Sequence, residues 1–243
     1  MQILNIEGVG KKLVGRFHSD GAVVLALDKN SETIHQLRSQ LPNVVAEVVD
    51  ITDWESTKRV IESFGDIHHV VNNAAIVKFQ KFMDITKESA LHHFDVNTLA
   101  SINVTQAASK GMIERGNGGS IVNIGSISGK LATDGLSMYC ASKAAMEMLT
   151  KSMSLELGPY NIRANCIAPT MIKTTMEENS DPEMVRKTKE AIFRTAAIKR
   201  AVETDEIVDL VMFLLSPLSA MITGESVNID GGCLSGFGLS VGQ

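Results

Sequence analysis

Ala22-Val-Val-Leu-Ala-Leu-Asp28 is a run of six apolar residues closed by one acid. A run that short, apolar at every position, predicts a strand buried on both faces of a sheet. Near-continuous apolar runs that read the same way recur outward along the chain, in Val44–Asp50, Ile67–Asn72, Ser120–Ser126, Ile162–Ala168 and Ser226–Asp230. Longer helical stretches separate these runs, at Gly10–Ser19, Ser31–Gln40, Glu55–Phe64, Leu99–Ile113, Ser137–Leu157 and Asp205–Leu215. Thr52-Asp53 and Thr204 supply helix caps. Strand–helix alternation of this kind predicts a doubly wound parallel α/β sheet. The segment 173–200, rich in charge, Thr and Met, is the least patterned. It reads either as a cover over a substrate site or as a solvated pair of surface helices.

The 243 residues suit a single domain, 1–243, with 44% apolar and 21% charged residues. Twenty-eight acids against twenty-three bases leave a net charge of −5, which argues against nucleic acid as a partner. Apolar runs such as Leu210–Leu215 reach only six residues, too short to span a membrane. The N-terminus lacks the basic and apolar regions of a secretory signal. Cys140, Cys166 and Cys233 are scattered and odd in number, so a reducing, cytoplasmic setting is expected. No metal is expected; His92 and His93 are adjacent and so do not share a helix face.

Open α/β sheets bind ligands beyond the carboxyl ends of their strands. Asp28, Asp50, Asn72-Asn73 and Ser126 all fall at such ends. Any one of them alone could simply cap a helix or turn; together they point to a polar site. Tyr139 and Lys143, four residues apart at the start of a helix, share one face. An ammonium beside a phenol stabilises phenolate and lowers the tyrosine pKa toward neutrality. Such a tyrosine can act as a general acid or base, and Ser126 could donate a hydroxyl to the same substrate oxygen.

On these residues the chain resembles the short-chain dehydrogenase/reductase family. The matching pieces are Asn72-Asn-Ala-Ala75, Asn97 in Phe-Asp-Val-Asn, Ser126 in Ile-Val-Asn-Ile-Gly-Ser, Tyr139-x-x-x-Lys143 and Pro169 in Ala-Pro-Thr. Ser126 and Tyr139 stand thirteen residues apart, as is typical of the family. Val71–Asn97 and Tyr139–Pro159 are most similar to the L-xylulose (dicarbonyl) reductases and tetrameric carbonyl reductases. The resemblance implies a Rossmann-like fold and a hydride exchanged between a nicotinamide cofactor and a small carbonyl or alcohol. It makes Tyr139 the proton donor or acceptor, with Ser126 orienting the substrate. Lys143 would hold the nicotinamide ribose, and Asn97 would kink its helix and hold a relay water. Cofactor contacts would come from Gly8, Gly10, Asp28, Asp50, Ile51, Asn72, Ala74, Tyr139, Lys143, Pro169, Ile172 and Thr174. A homotetramer or homodimer is implied, built on the helices Leu99–Ile113 and Ser137–Leu157. Asp28 can accept from both ribose hydroxyls and repels a 2′-phosphate, so NAD is expected over NADP, with Lys29 weakening that preference.

The N-terminus departs from the family pattern. The family's first strand enters Thr-Gly-x-x-x-Gly-x-Gly, and only Gly8-Val9-Gly10 is clear here. Either the first strand is missing, or Gln2–Ile6 forms it and the loop has lost several residues. The first alternative would expose two strand edges. The second keeps the sheet, with Ile3–Ile6 pairing in it, but shortens the loop that meets the pyrophosphate and brings Glu7 near it. Both predict weakened dinucleotide affinity. A binding or scaffolding subunit that keeps the fold is the rival reading.

Overall fold

The computed structural model describes residues 2–4, 8–173 and 182–236 of the chain. Seven strands form one parallel sheet. They are β1 (Gln2–Leu4), β2 (Leu25–Asp28), β3 (Val45–Val48), β4 (His69–Asn72), β5 (Gly119–Ile124), β6 (Ile162–Pro169) and β7 (Ser226–Ile229). Their order is β3-β2-β1-β4-β5-β6-β7. The order reverses between β1 and β4, the switch point at which doubly wound sheets open a ligand crevice.

β1 settles the choice left open at the N-terminus. It lies in the middle of the sheet, with Gln2 opposite Leu25 on one side and Val70 on the other. The first strand is therefore present, at three residues, and only residues 5–8 separate it from the next helix.

Among the described residues there are eight α-helices: α1 (Val9–Ser19), α2 (Ser31–Gln40), α3 (Trp54–Phe64), α4 (Lys87–Phe94), α5 (Ala100–Arg115), α6 (Ser137–Leu157), α7 (Pro182–Thr195) and α8 (Thr204–Leu215). Alternation along the strands sends side chains to opposite faces. Ala26, Val71, Val122 and Ile167 join Leu13, Phe17, Ile34, Val211 and Leu214 of α1, α2 and α8. Leu25, Leu27, Val70 and Ile121 join Ile61, Val104, Met112 and Met153 of α3, α5 and α6. Each such buried side chain larger than alanine contributes roughly 1.5–3 kcal/mol relative to exposure. Both faces of the central strands are buried, which is why the strands read as near-continuous apolar runs.

The caps agree with expectation at α3, where the Asp53 side chain accepts from Ser56 N–H. At α8 they do not: Thr204 is the first helical residue, and Glu203 is the cap. Glu203 and Glu206 each accept from the other's backbone region in a reciprocal box, which satisfies two terminal N–H groups at once.

Candidate active site

Ser126 leaves β5 with extended backbone and opens a single turn, Ile127–Gly129. Its Oγ accepts from Ser128 N–H at 3.1 Å. Gly129 lets this turn lie against α6, because a Cβ there would stand 2.9 Å from the Lys143 carbonyl carbon. The turn and the first coils of α6 thereby bring Ser126 near Tyr139, close enough for the serine side chain to act on the phenol's pKa. Lys143 Nζ lies 5.7 Å from the centroid of the Tyr139 ring.

The electrostatics differ from the simple expectation. Burial pushes the Tyr139 phenol above its ordinary pKa; the nearby Ser126 side chain lowers it by less, and Cys140 adds to the rise. Lys143 is 2% exposed, and its Nζ donates to the Ile124 carbonyl at 2.7 Å. Burial lowers its pKa to about 8, against a smaller opposing effect of Cys166. The ammonium is turned toward β5, so the expected lowering of the Tyr139 pKa is not what this structure shows.

Asn97 lies in a π-helical turn, Asp95–Leu99, between α4 and α5. Such turns bend a helix and free backbone groups. Its Oδ1 accepts from Ile76 N–H at 2.7 Å, and its Nδ2 donates to the Ile76 carbonyl and to Ser142 Oγ, both at 3.0 Å. Ser142 in turn donates to the Tyr139 carbonyl at 2.8 Å. One buried amide thus ties the chain leaving β4 to the helix that carries Tyr139 and Lys143. Asn97→Ala would leave both Ile76 groups without these partners. The expected cost is about 2–4 kcal/mol of stability, checked by urea unfolding, with activity lost in proportion to the loosening of Ile76.

The chain beyond Ile76 is pinned again where Gln80 N–H donates to the Gly135 carbonyl at 2.8 Å. A Cβ on Gly135 (φ +74°) would lie 3.5 Å from Phe79 and 3.7 Å from Met184 of α7. The segment before α6, the segment after β4 and α7 therefore meet four residues before Tyr139.

The cofactor candidates divide. Gly8 caps α1 at φ 54°, ψ −114°, a conformation reserved for glycine, and Gly10 is buried in the first turn. α1 begins beside the switch point, and a helix N-terminus favours a negatively charged group. Asp28 ends β2, where its Oδ1 accepts from Asn30 N–H at 2.9 Å. Burial opposes ionisation of Asp50, but the Thr52 hydroxyl and N–H, with Lys29 and His92 nearby, outweigh it and hold the carboxyl below its ordinary range. Ile51 and Ala74 pack in the second core layer. Pro169 ends β6, and Ile172 bridges to Val202. Thr174 lies outside the described residues.

Asn72 needs correction. Its side chain does not line the crevice; its Nδ2 donates to Asn123 Oδ1 at 2.7 Å and to Thr105 Oγ1 at 3.2 Å. Asn123 continues to Thr150 at 2.8 Å. This is an interior polar chain linking β4, β5, α5 and α6, so only the Asn72 backbone can face a ligand.

Ser142, Asn123 and Gly129 were not singled out by sequence reasoning. Ser142 stands beside Lys143 in Tyr-Cys-Ala-Ser-Lys, and a small hydroxyl between two site residues was the available signal. Asn123 in an apolar strand was another.

A family model described as Enoyl-(Acyl carrier protein) reductase matches residues 3–233. Carbonyl reductase [NADPH] 2 of Sus scrofa is 38% identical over 94% of this chain and 93% of its own length. L-xylulose reductase of Homo sapiens is 39% identical over 93% and 92%. Among solved structures, a 4-hydroxyisoleucine dehydrogenase mutant complexed with NADH and succinate superposes with a TM-score of 0.91 at 26% identity, covering 98% of this chain and 99% of that one. The reading as a scaffold without chemistry is not favoured by these relatives.

Proposed function

The chain belongs to the short-chain dehydrogenase/reductase family of oxidoreductases, and from that membership we propose that it interconverts a small carbonyl compound and its alcohol. Sugar ketones, polyols and dicarbonyls are the substrate class. The observation that carries the reading is the grouping of Tyr139 with buried Lys143, whose Nζ lies 5.7 Å from the ring, and with Ser126, near enough to act on the phenol's pKa. Two hydroxyls there converge on one point, where a carbonyl oxygen would gain charge.

A bound nicotinamide dinucleotide supplies the hydride. The protein's own groups supply the rest. Ser126 orients the substrate oxygen and Tyr139 delivers or removes its proton. Lys143 offers a cation to a ribose hydroxyl. Asn97 fixes the chain at Ile76 relative to α6. Gly8, Gly10, Asp28, Asp50, Ile51, Ala74, Pro169 and Ile172 form the cofactor cleft. Within the segment 173–200, α7 covers the substrate; Met184 beside Gly135 supports that role.

NAD is the favoured cofactor, on the strength of Asp28. The names of the relatives point both ways, one to NADPH and one to NADH. A carboxylate at the end of β2 disfavours a 2′-phosphate electrostatically. Asp28→Ser is expected to lower the NADH-to-NADPH ratio of kcat/KM by about ten- to a hundred-fold; an unchanged ratio would remove Asp28 as the determinant. With only residues 5–8 between β1 and α1, the dinucleotide is held more weakly than by a full glycine loop. Calorimetric titration with NADH tests this, and micromolar affinity would contradict it.

The enzyme is further read as a cytoplasmic homotetramer or homodimer. Exposed Met148 and Leu155 on α6, and half-exposed Leu99 before α5, support pairing through those helices.

A further inference from the structure

Gly125 stands between two groups of the site. Before it, the Ile124 carbonyl receives the Lys143 ammonium at 2.7 Å. After it, Ser126 stands near enough to Tyr139 to act on the phenol's pKa. Its backbone is not in the left-handed region, so conformation does not demand a glycine there. Space does. A Cβ at position 125 would fall 2.6 Å from Cys166 Sγ and 3.2 Å from the Ile167 carbonyl oxygen.

Cys166 lies on the neighbouring strand, opposite Asn123, and is fully buried. Gly125 N–H donates to the Ile167 carbonyl at 2.7 Å, so the two strands stay in contact at this point. The thiol fills the volume a side chain at 125 would need. Burial pushes the thiol pKa up to about 11, with Glu147 adding to the rise and Lys143 opposing it. It is therefore neutral packing beside the lysine and not its counter-ion.

We propose that Gly125 and Cys166 are a complementary pair of positioning residues, which keeps β5 and β6 close enough to aim the Ile124 carbonyl at Lys143 and Ser126 at Tyr139. A larger residue at 125 is compatible with the site only when 166 is smaller. With alanine at 166, Sγ is gone and the nearest remaining atom to a Cβ at 125 is the Ile167 oxygen, at 3.2 Å. That contact needs a shift of only a few tenths of an ångström.

The inference rests on the proposed reductase reading, and the test separates the two. Wild type, Gly125→Ala, Cys166→Ala and the double variant are assayed for carbonyl-dependent NADH oxidation and for thermal unfolding. Gly125→Ala should lose about ten-fold or more in kcat, with a smaller change in the KM of the carbonyl. The double variant should recover to the level of Cys166→Ala. If Gly125→Ala does not fold, a folded and active double variant carries the same conclusion. A fully active Gly125→Ala overturns the pair, as does a loss that Cys166→Ala fails to restore. An inactive wild type would refute the reductase reading, and the pair would then stand or fall on recovery of the melting temperature in the double variant.

Discussion

Tyr139→Phe is expected to lower kcat by roughly 10²–10⁴-fold, with a melting temperature close to that of the wild type. The substitution removes one hydroxyl and keeps the ring that packs at the head of α6. Ser126 still accepts from Ser128 N–H, so the β5 turn keeps its shape. What is lost is the proton source. Burial raises the Tyr139 pKa, so the phenol is protonated at neutral pH, the form that donates to a carbonyl oxygen. Carbonyl reduction should therefore be level through neutral pH. Alcohol oxidation needs the phenolate and should climb as pH rises. A phenylalanine variant with wild-type kcat would remove Tyr139 from the chemistry.

Lys143→Met should abolish turnover and yet make the protein more stable. The lysine carries its charge almost without access to water, and its pKa has fallen from 10.5 to about 8. Bearing that charge at neutral pH costs the fold about 3 kcal/mol. Methionine fills a similar volume without the charge. It forfeits the bond to the Ile124 carbonyl, worth about 1–2 kcal/mol, which leaves a net gain of about 1–2 kcal/mol. The gain has a definite pH dependence. Below pH 8 the lysine is charged in both the folded and unfolded chain, and the full cost applies. Between about 8 and 10.5 the folded lysine is neutral while the unfolded one still binds a proton. Wild-type stability then rises with pH and the advantage of methionine shrinks. Denaturant melts of both proteins at pH 7 and pH 10 read this directly. A destabilised variant at pH 7 would mean that Lys143 serves the fold and not the site at the fold's expense.

Most of the architecture was legible in the chain because local and global signals agree. α2 and α6 begin and end where their patterns do, at Ser31–Gln40 and Ser137–Leu157. The six strands read as apolar runs appear in order because the sheet is buried on both faces. α4 escaped notice because Lys87–Phe94 buries little besides His93, so no apolar stripe marks it. α7 has no fully buried residue, for the same reason. β1 was legible only through the fold, since three residues carry no period of their own.

The site was legible as a set of residues and less so as geometry. Ser126 and Tyr139 lie near each other, and Asn97 is tied to the Tyr139 backbone through Ser142. Asn72 does not join them, because a strand-end amide can turn inward when Asn123, Thr105 and Thr150 offer it partners. The direction of the Tyr139 pKa was also beyond the sequence. Four-residue spacing places Lys143 on the same helix face, but the Ile124 carbonyl decides where its ammonium points. Gly125 and Cys166 are forty-one residues apart and only the pairing of β5 with β6 brings them together.

The most direct test of the account is absorbance of the reduced cofactor, followed with purified protein, a panel of ketoses, dicarbonyls and simple ketones, and NADH or NADPH in turn. The account predicts carbonyl-dependent oxidation of the cofactor, faster per unit concentration with NADH, and absent in Tyr139→Phe. A protein that unfolds cooperatively and oxidises neither cofactor with any carbonyl would contradict it.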